Sequence, residues 1–161
     1  MSKKVEQSGL MEANARSGAL VGRFDHALDS KKRFTIPSEW RALMGNPSYV
    51  YVMPDPSEPC LDLVPVAEME SRLEKMREKA LFDPSANRAL QTIGSVSELP
   101  SLDVQGRIRI SDKLLQFANL TTTVAMLGSV RMIKLWNPKA VAPAEKVDQR
   151  ALASALMEAG F

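Results

Sequence analysis

The stretch Leu28-Asp29-Ser30-Lys31-Lys32-Arg33-Phe34-Thr35-Ile36-Pro37 recurs as Leu102-Asp103-Val104-Gln105-Gly106-Arg107-Ile108-Arg109-Ile110-Ser111. The spacing is constant: Asp103 stands 74 positions after Asp29, and Arg107 stands 74 after Arg33. Each copy is an apolar residue, an aspartate, a short polar turn, an arginine and an alternating strand. A repeat constrains a fold more than a lone motif does. Both copies must build the same unit, and the two units must then cover each other.

The flanks repeat as well. Ser38-Glu39-Trp40-Arg41-Ala42-Leu43-Met44 reads as a short helix closed by Gly45-Asn46-Pro47, and Asp112-Lys113-Leu114-Leu115-Gln116-Phe117 as its counterpart, closed by Asn119. Two strands follow in each copy, Tyr49–Val52 with Cys60–Leu63, then Val124–Leu127 with Met132–Leu135. The later spacing is 72, from Leu63 to Leu135, so the intervening loops differ by two residues. The order strand, turn, strand, short helix, strand, turn, strand thus occurs twice, which predicts an α+β, β-rich fold.

Between the copies, Val66, Met69, Leu73, Met76 and Ala80 fall on one face at helical period. Asp83-Pro84 opens a second helix as cap and first residue. Ala86, Leu90 and Ile93 continue its apolar face, and Gly94 is expected to end it. A methionine-bearing stripe of this kind serves core or subunit packing. Glu145 to Glu158 reads as a terminal helix with Gly160 as its stop. The organisation expected is a disordered extension over 1–18, a first module over 19–65, a helical connector over 66–94, a second module over 95–141 and a helical tail over 142–161.

Within each turn, aspartate favours a bend by accepting from backbone amides two residues on. Asp29-Ser30-Lys31-Lys32 is therefore expected to close a hairpin between flanking strands. In Arg33-Phe34-Thr35-Ile36, Phe34 and Ile36 share one face and Arg33 and Thr35 the other. The second copy repeats this with Ile108 and Ile110 against Arg107 and Arg109.

Composition excludes several function classes. The 161 residues are 45% apolar and 25% charged, ordinary for a globular chain. No apolar run approaches a membrane span. The first residues hold two lysines without an apolar stretch behind them, so no secretory signal is expected and the expected location is cytoplasmic. One cysteine (Cys60) and one histidine (His26) cannot form an intrachain disulfide or a usual zinc site. Cys60 is expected to be a small core residue. His26 has no nucleophile held near it, and no phosphate loop or dinucleotide fingerprint occurs. The expectation is no enzyme, no metal and no cofactor.

A net charge of +2 says little by itself. Where the cations sit says more. Lys31, Lys32 and Arg33 share one turn, where lysine suits phosphate and arginine suits phosphate or a guanine edge. A charged tip that is merely solvated is the competing reading.

The paired motif, Leu28-Asp29-x-Lys31-x-Arg33-x-x-Ile36-Pro37 with Asp103-x-Gln105-Gly106-Arg107 and a later Leu135-Trp136, resembles the MraZ transcriptional regulators. The resemblance covers about residues 20–141. It implies two tandem AbrB-like swapped-hairpin modules forming a pseudo-symmetric double-split β-barrel. It implies a homo-oligomeric, ring-like protein that is nucleoid-associated. Such a protein would bind double-stranded DNA at short direct repeats upstream of a cell-division and cell-wall gene cluster that includes its own gene.

By that resemblance Lys31, Lys32 and Arg33 are the first DNA-contact candidates, with Arg23 and Arg41 as weaker ones. Asp29, Asp103, Gly106 and Arg107 become motif residues with structural roles, and Arg107 and Arg109 are candidates for module or subunit contacts. Most family members carry Gly where this chain has Lys32. Glycine adopts a left-handed turn without strain and lysine does not. Either the turn differs here or Lys32 bears the strain. If Lys32 spoils the turn, the alternative is an antitoxin-type assembly module that binds a protein instead of specific DNA.

Overall fold

Phe34 pairs across a strand ladder with Ile108, the residue that occupies its own position in the second copy. The computed structural model in which this is seen describes residues 18–161, so all of the expected extension but Gly18 lies outside it. In chain order the elements are β1 (Arg23–Ala27), β2 (Arg33–Thr35), α1 (Ser38–Leu43), β3 (Tyr51–Pro54), β4 (Leu61–Val64), α2 (Val66–Ala80) and α3 (Pro84–Val96). They continue with β5 (Arg107–Arg109), α4 (Asp112–Phe117), β6 (Thr123–Gly128), β7 (Ile133–Trp136), a 3₁₀ turn (Pro138–Ala140) and α5 (Gln149–Glu158). The fold is α+β. Five strands form an antiparallel sheet in the order β1-β6-β7-β4-β3, and β2 and β5 form a separate two-stranded ribbon.

The expected β1–β2 hairpin does not form. β1 runs antiparallel to β6, and β2 runs antiparallel to β5. The Asp29 turn therefore carries the chain from one sheet to another. The cause is the apolar face of β2. Phe34 and Ile36 are at most 1% exposed, and so are Ile108 and Ile110 of the second copy. Each pair completes the other's burial, and each large apolar side chain so removed from water contributes roughly 1.5–3 kcal/mol.

The repeat is thereby folded about an approximate two-fold axis. Asp62 faces Lys134 in the β4–β7 pairing, again a residue against its own counterpart, here 72 positions on. Away from the axis the hydrogen bonds recur in matched form. The Leu28 amide donates to the Thr122 carbonyl at 2.8 Å, and the Leu102 amide donates to the Ser48 carbonyl at 2.8 Å. Residues 98–101 run beside β3 much as β1 runs beside β6, with amides of Val50 and Val52 donating to Pro100 and Glu98. Pro100 has no amide hydrogen, so this second edge is reduced to isolated bridges rather than a strand.

Trp40 of α1 is 1% exposed and seals one side of the core. Its Nε1–H donates to the Val21 carbonyl at 3.0 Å, and Phe24 meets its ring edge-on at 4.9 Å. On the axis, the Lys134 ammonium lies 2.6 Å from Asp62 Oδ1 and 2.7 Å from Asp55 Oδ2. Burial acts to raise the Asp55 carboxyl, but hydrogen bonds from Lys134 and the Ser57 and Glu58 amides hold it at about 2. Burial raises Asp62 against the pull of Lys134. Cys60, fully buried beside them, has its thiol pushed up to about 12 by burial and by the neighbouring carboxylates. The three groups Asp55, Cys60 and Asp62 could be taken for a metal site. The ammonium of Lys134 supplies the positive charge there.

Two helix boundaries differ from expectation. α3 runs through Gly94 to Val96, because an exposed helical glycine costs only about 1 kcal/mol and nothing there forces a left-handed turn. α5 begins at Gln149 instead of Glu145, where Asp148 supplies the cap by accepting from the Ala151 amide. None of the α5 side chains is buried. Among the described residues no helix is long and apolar enough to cross a membrane.

Candidate nucleic-acid interface

Each Asp turn is a small, fully satisfied hydrogen-bond cage. Asp29 Oδ1 accepts from the amides of Lys31 (2.9 Å) and Arg33 (2.8 Å), and Oδ2 accepts from Arg33 Nε (2.7 Å). The Lys32 amide donates to the Asp29 carbonyl and the Asp29 amide donates to the Arg33 carbonyl, both at 2.9 Å. In the second copy Asp103 binds the amides of Gln105 and Arg107 and the Arg107 Nε in the same way. The Arg33 amide, followed by its guanidinium, lowers the Asp29 carboxyl from its ordinary value; Arg107 does the same to Asp103.

Lys32 adopts the left-handed conformation, φ 60°, matching Gly106 at φ 79°. The turn geometry is therefore shared, and Lys32 carries the strain. Its ammonium is held 2.7 Å from Asp112 Oδ1, at the start of α4 in the second copy. Gly106 has a further constraint: a Cβ there would overlap the Arg41 guanidinium.

The consequence for Arg33 is orientation. Its Nε is clamped to Asp29, and its Nη atoms make no hydrogen bond among the described residues. A guanidinium held by one edge can offer the other to a phosphate or a base edge without losing side-chain freedom on binding. Lys31 and Lys32 precede it in the turn, both exposed.

No family model matches the chain. Individual relatives do. It is 31% identical over 136 residues to the transcriptional regulator MraZ of Caulobacter vibrioides, covering 83% of this chain and 85% of that protein. It is 31% identical over 116 residues to MraZ of Corynebacterium jeikeium, covering 72% and 79%. MraZ of Clostridium acetobutylicum is 27% identical over 143 residues, covering 88% and 99%.

The chain belongs to the MraZ family. This MraZ chain has Lys32 where its own second copy has Gly106, yet the two turns keep the same hydrogen bonds and left-handed residue. The other two candidates sit elsewhere. Arg23 lies on β1, bound to Asp25 at 2.9 Å and to the Ala142 carbonyl at 2.6 Å. Arg41 lies under the second turn, its Nε donating to the Ile36 carbonyl at 3.0 Å. Because β2 and β5 are antiparallel, the two turns occupy opposite ends of the ribbon, so Arg41 does not join Lys31–Arg33. The residues that do join them come from the second copy. Arg109 faces Arg33 across the ladder, and Asp112 holds Lys32. The sequence carries no local sign of either contact, since both depend on which strand pairs with β2.

Proposed function

We propose that the protein is a sequence-specific DNA-binding transcriptional regulator that presents the Lys31–Arg33 turn to double-stranded DNA. The observation that carries this reading is the Asp29 clamp. It fixes the half-buried Arg33 guanidinium by its Nε edge, directly after two exposed lysines in the turn, in a family whose members are named transcriptional regulators. One such turn neutralises few phosphates and binds weakly alone. A homo-oligomeric ring repeats it, making later contacts intramolecular and raising avidity by orders of magnitude. Rotation-related subunits suit short direct repeats, here placed upstream of a cell-division and cell-wall gene cluster that includes the protein's own gene. The protein is then nucleoid-associated in the cytoplasm. The interleaving of β1 with β6 and β2 with β5 supports a swapped-hairpin, double-split barrel built from two AbrB-like modules.

The test is fluorescence anisotropy of purified protein with the duplex upstream of its own gene and a scrambled control, at two salt concentrations. Preference for the native duplex and steep weakening with salt are expected. Arg33→Ala is expected to lose about 1–3 kcal/mol per engaged subunit with oligomer size unchanged. Unchanged affinity in that variant removes the site assignment.

A second reading, an antitoxin-type module that binds a protein, draws on exposed apolar groups. Phe82, between α2 and α3, is 90% exposed, and α5 displays Leu152, Leu156 and Met157. Equal weak binding to both duplexes with oligomers intact favours it.

A further inference from the structure

The two ends of the β2–β5 ribbon are related by the approximate two-fold axis, so a symmetric protein would carry the same charge at both. This one does not. At the first-turn end, strand register sets Arg109 opposite Arg33 and the Lys32–Asp112 pair brings in the start of α4, where Lys113 follows Asp112 in sequence. At the other end the corresponding positions of the first copy are Thr35, Ser38 and Glu39, beside Gln105, Gly106 and Arg107. At matched positions Lys31, Lys32, Arg109 and Lys113 thus answer to Gln105, Gly106, Thr35 and Glu39, Arg33 answers to Arg107, and only Asp112 against Ser38 runs the other way. Arg41 adds one cation at the second end, but it is half-buried and bonded to the Ile36 carbonyl.

Arg109 is the decisive residue. It is exposed, and it stands directly opposite Arg33 in the ladder. Like charges in that relation lie roughly 5 Å apart at Cβ and destabilise the pair. Asp29 is already engaged with Arg33 and Asp112 with Lys32. Arg109 contributes to the lowering of the Asp112 carboxyl, behind Lys32, which puts it in the same electrostatic cluster. A polyanion laid across this end would remove the repulsion that the free protein retains.

We propose that the DNA-contact face is composite, and that Arg109 of the second copy is a phosphate-binding residue completing the surface begun by Lys31–Arg33 of the first. This rests on the DNA-binding reading given above, and it extends the contact to a strand that the turn motif does not include.

The test uses the full-length protein with the upstream duplex and its scrambled control, titrated over a range of salt. Arg109→Thr is the informative variant, because Thr35 shows that the matched strand position accepts threonine. Arg109→Thr is expected to weaken binding to both duplexes about tenfold and to lower the slope of log affinity against log salt by about one per engaged subunit. Arg109→Lys, which keeps the charge, is expected to restore the slope. Lys75→Gln on α2, which removes a charge elsewhere, is expected to leave it unchanged. Wild-type affinity and slope in Arg109→Thr, with Arg33→Ala still impaired, overturns the inference and leaves the first-turn assignment standing. Failure of the wild-type protein to bind either duplex overturns both. An equal loss of slope in Lys75→Gln reduces the effect to net charge and also overturns the inference.

Discussion

Lys32 reaches from the first copy to Asp112 in the second, Nζ to Oδ1 at 2.7 Å, from a backbone held at φ 60°. An exposed ion pair contributes about 0–1 kcal/mol, and a left-handed non-glycine residue costs about 1–2 kcal/mol. Relief of strain less the lost pair is about 0–2 kcal/mol, and the freedom glycine gives the unfolded chain offsets about 0.4–1 kcal/mol of it, so Lys32→Gly leaves stability the same or raises it by about 1 kcal/mol. Gly106→Ala acts in the opposite sense. It imposes the left-handed cost of about 1–2 kcal/mol and displaces Arg41 as well. Urea denaturation of the two variants decides the point. A stabilised Gly106→Ala protein contradicts the shared turn geometry.

The Asp55–Lys134–Asp62 cluster makes an ordered prediction. Lys134→Met leaves two carboxylates against the sheet without their cation, at a cost of about 3–5 kcal/mol. Asp62→Leu costs less, because Asp55 still holds the ammonium. Asp62→Lys sets two ammonium groups against each other and is the most damaging of the three. Denaturant midpoints that reverse the order of the first two variants would refute the idea that Lys134 is the shared centre.

Acid stability follows from Asp55. Its folded carboxyl lies at about 2, below the ordinary value of about 3.9. A depressed carboxyl contributes stability that is full above the unfolded value and is lost as pH falls through the folded one. The window is thus from about pH 4 down to about pH 2. Asp55→Asn is expected to flatten the stability profile within that window. An unchanged profile between the two proteins would show that Lys134 is neutralised by Asp62 alone.

α5 contributes no buried side chain. Truncation after Lys146 is expected to leave the thermal midpoint of the remaining fold unchanged. Differential scanning fluorimetry at low protein concentration measures this. A clear drop would place the helix against the body of the protein in solution. Light scattering of the same variant at high concentration reports whether Leu152, Leu156 and Met157 join subunits.

What the sequence made legible was local. The Asp-turn-Arg cage is written in Asp29 and Arg33, since an aspartate four residues before an arginine in a turn can bind both the amides and the guanidinium. The alternation of Phe34 and Ile36 gave the buried face of β2. What escaped was partnership. Strand, turn and strand in succession read as a hairpin, but β2 lies against β5, where Phe34 and Ile36 are buried together with Ile108 and Ile110. That match spans 74 residues and has no local trace. Arg109 was missed as a neighbour of Arg33 for the same reason, and Arg41 was grouped with the first turn when it lies beneath the second. Gly94 misled because glycine signals a helix end only where a left-handed conformation follows.

A residue that sits on a two-fold axis of identical chains can only ever meet itself. A single copy of this unit, pairing with a twin, would set aspartate against aspartate at position 62, or lysine against lysine at position 134. Either arrangement buries like charges. Asp62 opposite Lys134 is possible because the halves are joined and each can change alone. Joining the halves in one chain thus lets a site of self-encounter become a lock and its key, at a cost in interchangeability. Two copies of either half would set like charges against each other at this position.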